Sequence, residues 1–384
     1  MKTFKLRDLL VSWDAGAWGD PAKQAGVYVL RSTNFRSGGA ISFADLALLA
    51  IDERIVSEKK LEVGDILLER SGGGPKQPVG RVAAFVGREE NEVFIYGNFI
   101  SRLVPKREVI DPDYLMYVLL FWHVSGVTEK LQTATTGIRN LQMAQYLDRQ
   151  IVIPVSVEEQ RQAATHLRDK LAYVERARQG AELQMRETSR LTDATIMESI
   201  KATATSTRRL GDALDETKKG IGDAWKAFPV LGATRSGLAP ARERPGKHAE
   251  RYKPVTAGTV FYNPMRILIG SIAFVDDDDE PGITSPDYVV LKGKPGVVDS
   301  RWFYYWLRSP LGERCIQSLA RGAVRERMLF NRLAEGEIEL PDYDTQVKAS
   351  KALSQIKPMR AAIKQQIDEL ELLPQKLLAQ IFES

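Results

Sequence analysis

Between Pro154 and about Ala204 the chain runs for about fifty residues without another proline, long enough for one uninterrupted helix. Ser156 followed by Glu159 forms an S-x-x-E capping box, which predicts a sharp start. Leu167, Leu171, Val174, Ala181, Met185, Ile196 and Ile200 fall mostly at three- and four-residue steps among Arg, Lys, Glu and Gln, giving one apolar stripe. At about 1.5 Å per residue such a helix would reach roughly 65 to 70 Å, further than a compact domain is wide. It therefore reads as a strut or coiled-coil arm whose stripe needs a partner.

The C-terminus supplies a candidate partner. From Pro341 onward, Leu353, Ile356, Met359, Ile363, Ile367, Leu370, Leu377 and Ile381 recur at similar steps. Each helical stretch follows a short apolar strand that ends in proline, Ile151 to Pro154 in one place and Ile338 to Pro341 in the other, and each has a glutamine soon after, Gln160 and Gln346. Pro358 and Pro374 have no counterpart in the first stretch, so the second helix is expected to kink or break there.

The segments before the two helices are also alike in order. In residues 1–153, KLRDLL suggests a short helix, Val27 to Leu30 a strand, and the stretch from Ala44 to Lys60 a helical segment. A turn at Gly64-Asp65, a strand Ile66 to Leu68, a glycine-rich loop Arg70 to Gly80, a second strand Arg81 to Val86 and a helix capped near Asp111 to Asp113 follow. In residues 205–341, TRRLGDAL answers KLRDLL, Ala257 to Val260 lie over Val63 to Ile66, and Asp299 lies over Asp111. The expected organisation is a first domain at 1–153, a helix at 154–204, a second domain at 205–341 and a helix at 342–384, a tandem duplication.

Composition narrows the class without choosing a function. The 384 residues, 43% of them hydrophobic, can bury real cores, and no apolar run is long enough to span a bilayer. MKTFKLRDLL lacks the apolar core of a signal peptide, so a cytoplasmic protein is expected. One cysteine, Cys315, and three scattered histidines argue against a disulfide framework or a zinc site. A net charge of +4 is compatible with DNA binding but common elsewhere.

Several polar loops could carry chemistry. Arg70, Ser71, Gly73, Lys76 and Gln77 combine glycine-permitted close approach with groups that bond phosphates and base edges, and an ordinary hairpin loop fits the same residues. Arg31, Ser32, Thr33, Asn34 and Arg36 suit DNA contact as well as a solvated turn. Thr135, Thr136, Arg139 and Asn140 have the same character, and their counterpart holds Arg321, Arg325 and Arg327, which could equally form structural ion pairs. Tyr262, Asn263 and Arg266 stand where the first copy has its glycine-rich loop. Asp52 with Glu58 and Lys60 loosely matches a metal-nuclease pattern, and the run Asp276 to Glu280 could hold a divalent ion; a capped helix and a solvated loop are the simpler readings.

The ordered set VLRSTNF, VGDILLERSGG and TTGIRNLQMAQYLDRQIVIPVSVEEQRQ, answered later by AGTVFYNPMRILIGSIAFV and GEIELP with a closing helix, resembles the specificity (S) subunits of type I restriction-modification systems over essentially the whole chain. The resemblance implies an α+β fold in which two α/β target-recognition domains stand in tandem, each followed by a long helix, the two helices pairing as an antiparallel coiled coil. It also implies a non-catalytic subunit that holds no cofactor and reads a split site on double-stranded DNA. Its expected partners are methyltransferase subunits, two of them, using S-adenosylmethionine, and through these restriction subunits driven by ATP with Mg²⁺. The resemblance favours DNA contact for the polar loops. A metal-dependent endonuclease and a coiled-coil scaffold without a DNA role are the alternatives.

Overall fold

The computed structural model describes residues 1–22, 26–74, 77–89, 92–135, 137–241, 243–320 and 327–383. The long helix spans Val157–Ala202. Its start is set as the sequence predicts: Glu159 N donates to Ser156 Oγ at 3.3 Å, and Glu158 and Glu159 lie at the positive end of the helix dipole. The buried side carries Ala164, Leu167, Ala181 and Ile196, but also Thr188, Thr192 and Ser199. These hydroxyls donate to the carbonyls of Met185, Thr188 and Ile196 on the same helix, which satisfies each donor within the helix and leaves the oxygens free to accept.

Contacts divide the chain into Met1–Gln179 with Ile367–Ser384, and Gly180–Gln366. In the first unit, the opening strand Lys2–Lys5 pairs antiparallel with Gln150–Ile153, so the chain start is tied to the strand that feeds the long helix. Four antiparallel strands follow in the spatial order Leu10–Ala15, Ile100–Pro105, Ile66–Glu69, Val82–Ala84. The helix Pro112–Val124, capped by Asp111 Oδ1 accepting from Tyr114 N at 3.0 Å, packs on this sheet through Leu115, Leu119 and Trp122. Leu167 and Leu378 are buried in the same core.

The second unit has the same frame. Ser206–Arg209 pairs with Glu337–Leu340, and the sheet order is Leu214–Glu216, Val289–Gly293, Thr259–Tyr262, Ile272–Val275. The helix Ser300–Arg308 is capped by Asp299, which accepts from Trp302 N at 2.9 Å. Gly64 and Gly258, matched in the sequence, both hold positive φ, +95° and +78°. The matched glutamines do the same work. Gln160 Oε1 accepts from Asp111 N at 2.8 Å while its Nε2 donates to Val109 O and Pro154 O; Gln346 Oε1 accepts from Asp299 N at 3.0 Å while its Nε2 donates to Val297 O and Pro341 O. Both are buried, and each closes three backbone groups at the junction of strand, sheet helix and spacer helix.

Three local expectations change. The stretch from Ala44 to Lys60 is not one helix: Ala47–Ala50 is a strand paired with Val27–Leu30, and only Glu53–Lys59, capped by Asp52, is helical. Strand pairing that buries Leu49 overrides the helix propensity of Ala and Leu. KLRDLL forms a single 3-10 turn, Leu6–Leu9. The second spacer breaks at Ser354 and Gln355 between Tyr343–Leu353 and Ile356–Phe382, so Pro358 falls in a first turn where its missing N–H costs nothing, while Pro374 stays inside the helix. Within the second unit the spacers run antiparallel: Arg360 donates to Thr188 Oγ1 and Ser189 Oγ, and Ile356 shares a core with Ile196.

Candidate nucleic-acid interface

In the first unit the start of the glycine-rich segment is a strand and the described rest of it is loop. Ser71–Gly73 forms the edge of a three-stranded sheet with the hairpin Gln132–Thr135 and Ile138–Leu141, setting Arg139 opposite Gly73 and Asn140 opposite Ser71. Ser71 Oγ donates to Asn140 Oδ1, and Leu141 N donates to Arg70 O at 2.8 Å. Two loops separated in sequence thus bring Arg70, Ser71, Arg139 and Asn140 together. Gly73 is buried, and a Cβ there would lie 2.4 Å from Gln77 O, so its glycine serves the packing of its own loop and not close approach to a phosphate. Gln77 is exposed. Lys76 and Thr136, like Arg321 and Arg325 in the second unit, lie outside the described residues, and so does the Thr135 side chain.

Ser32 and Thr33 line a concavity of about 460 Å³ together with Arg31, Gly72, Trp18 and Phe99. Both aromatic rings are half exposed, and each lies over a glycine: a Cβ on Gly97 would stand 3.5 Å from the Trp18 ring, and one on Gly72 3.5 Å from Phe99. Gly16 sets the Trp18 loop against Tyr96, since a Cβ there would meet Tyr96 O at 2.1 Å. Beneath it, Asp14 bonds Lys59 at 2.7 Å, the Tyr96 hydroxyl at 2.7 Å and Arg102 at 3.2 Å. Burial opposes its ionisation, but these three partners outweigh burial and hold the carboxyl below its usual value. Tyr96 shifts upward through burial and its bond to Asp14, and so remains a proton donor.

Asn34 leaves the candidate set. It is buried, its Oδ1 accepts from Arg31 N, and its Nδ2 donates to Ser42 O and Asp45 O, so it shapes the loop instead of facing a ligand. Arg31 itself pairs with Asp45 at 2.9 Å, and Arg36 donates to Thr33 O. The polar, turn-forming composition of the loop is the same for an amide that points in as for one that points out, which is why the sequence does not separate them.

In the second unit Tyr262 is fully buried and also leaves the set; burial pushes its hydroxyl well up, and it stays neutral. Its neighbours Asn263 and Arg266 line a concavity of about 630 Å³ with Arg235, Arg244 and Glu243. Met328 N donates to Pro264 O at 3.0 Å, which sets the exposed Arg327 beside the same turn. Arg235 and Arg244 lie in a stretch whose short hairpin carries no strong periodic signal, and sequence reasoning passed over them; Trp18 and Phe99 were passed over because exposed aromatics leave no pattern.

Most carboxylates of the two nuclease-like patterns are engaged elsewhere. Asp52 caps a helix, Glu58 pairs with Arg54, and Lys60 O accepts from Arg102. Asp276 and Asp277 bind Arg301, and Asp278 and Asp279 bind Lys357, tying the acidic run to the sheet helix and the last spacer helix. Among the described residues no group of three His, Cys, Asp or Glu is placed to hold a metal ion, and no helix is long and apolar enough to cross a membrane.

No protein-family model matches the chain, and no curated protein matches it. Solved structures do. A chain from work on complex assembly and conformational transition of the type I R-M system aligns at TM-score 0.66 and 15% identity, covering 99% of this chain and 97% of that one. The S subunit of a type I restriction-modification system from M. genitalium aligns at 0.53 and 13%, covering 99% and 96%. The HsdS subunit from Thermoanaerobacter tengcongensis aligns at 0.53 and 16%, with the same coverage. Over its whole length this chain has the fold of a type I restriction-modification S subunit.

Proposed function

We propose that the chain is the DNA-specificity subunit of a type I restriction-modification complex and that each unit reads one half of a split double-stranded target. The observation that carries this reading is the repeated frame: the same sheet order, the same capped helix and the same buried glutamine stand in both units, while the surface loops differ. A conserved frame with divergent loops is what two readers of different sequences require, since scaffold and contacts are separable. The likeness to S subunits along the full chain supports the same assignment. In this reading the chain holds no cofactor and performs no catalysis. It works in the cytoplasm, positioning two methyltransferase subunits that use S-adenosylmethionine and, through them, restriction subunits that use ATP and Mg²⁺.

Genome-wide mapping of methylated adenine in cells with and without the gene tests the assignment. The expected result is one bipartite motif, two short half-sites around a gap of fixed length, present only with the gene. Identical methylation in both strains that carry the methyltransferase partner would remove the assignment.

A further inference from the structure

The strands Leu231–Thr234 and Gly237–Pro240 form a hairpin whose two-residue turn is Arg235-Ser236. Gly237, which opens the returning strand, holds φ +108°, and Thr234 Oγ1 accepts from Ser236 N and donates to Gly237 O. The turn is held from below. Arg308 donates from Nη2 to Arg235 O at 2.6 Å and from Nη1 to Gly270 O and Ile272 O. The stem of Arg235 runs over Gly270, its Cγ 3.7 Å from where a Cβ would stand. Arg235 is thus pinned beside the turn that carries Asn263 and Arg266, and all three line one concavity.

The chemistry of that cluster is one-sided. Arg235 and Arg266 are exposed, with no ion-pair partner among the described residues, and a guanidinium only donates. Asn263 spends its acceptor internally, Oδ1 taking Met265 N at 3.0 Å, and presents its amide donors. Glu243 is the carboxylate at the rim. In the major groove guanine offers two acceptors, O6 and N7, and its cytosine offers one donor, N4, whereas adenine and thymine each differ from this pattern. A two-stranded β-ribbon fits that groove.

We propose that the hairpin Leu231–Pro240 enters the major groove of the half-site read by the second unit, and that Arg235 and Arg266, aided by the Asn263 amide, recognise guanine there. This rests on the function proposed above. Arg308 is a positioning residue: it touches no base and fixes the turn that carries Arg235.

The test uses the assembled methyltransferase complex and a duplex series in which every position of both half-sites is varied, with binding measured across several salt concentrations. Arg235→Ala and Arg266→Ala are each expected to lose on the order of ten- to a hundredfold in discrimination at a G·C pair of one half-site, with the other half-site unchanged. Arg235→Lys keeps the charge but not the fork, so it should lose the same discrimination while retaining the salt dependence. A uniform loss across all sequences, with the salt slope falling by about one per arginine, would mean phosphate contact and overturn the proposal. Loss at an A·T pair, or wild-type discrimination in Arg235→Lys, would also overturn it. In those cases the wild-type complex still prefers a split site and the assigned function stands; a wild-type complex with no preferred duplex would sink both.

Discussion

Gln160→Leu is expected to cost the first unit about 2 to 5 kcal/mol of stability, and Gln346→Leu the same in the second. Leucine fills nearly the same space, so the loss is not one of packing. It strands the Asp111 amide and the Val109 and Pro154 carbonyls in one unit, and the Asp299 amide and the Val297 and Pro341 carbonyls in the other. An unpaired buried polar group costs about 1 to 3 kcal/mol, and backbone groups cannot turn away to water. Denaturant unfolding of single variants and wild type reads the effect directly. A midpoint shift worth under about 1 kcal/mol in either variant would show that water reaches these groups and that the glutamines are not the junction.

Trp302→Ala is expected to cost about 3 to 5 kcal/mol in the second unit, the usual range for a buried tryptophan. Trp302 is fully buried in the core that also holds Ile196, Leu353 and Ile356, and its Nε1 donates to Ser199 Oγ at 2.9 Å. It therefore joins the sheet helix to the long spacer by packing and by a directed bond at once. Ser199→Ala isolates the second part: it leaves the indole N–H unpaired in the core, at about 1 to 3 kcal/mol. Equal losses in the two variants would mean that the bond, and not the ring, carries the contact; a loss below about 1 kcal/mol for Trp302→Ala would mean that the core closes over the gap.

The parts of this fold that were legible in the sequence are those governed by periodicity and by residues with one dominant role. The proline-free stripe gave the helix Val157–Ala202, Asp111 and Asp299 gave the two caps, and Gln160 and Gln346 stood out because a glutamine recurred after each strand-ending proline. Pairing between distant segments was not legible. Ala47–Ala50 is a strand only because Val27–Leu30 lies beside it, and Ser71–Gly73 only because Ile138–Leu141 does. The direction of a polar side chain was equally hidden, so Asn34 and Tyr262 looked like contacts and are core, while Arg235 looked like nothing and caps a hairpin.

If two like frames carry two independent readers, one reader can be exchanged without disturbing the other. Residues 205–341 would be replaced by the corresponding segment of an S subunit with a known target, and methylated sites mapped in cells carrying the same methyltransferase. Because the second unit has its own cores around Trp302 and Phe261, the exchange leaves the first unit's frame untouched. The expected motif has one half-site from the donor and the other unchanged. A folded, active chimera in which both half-sites change, or neither does, would contradict it.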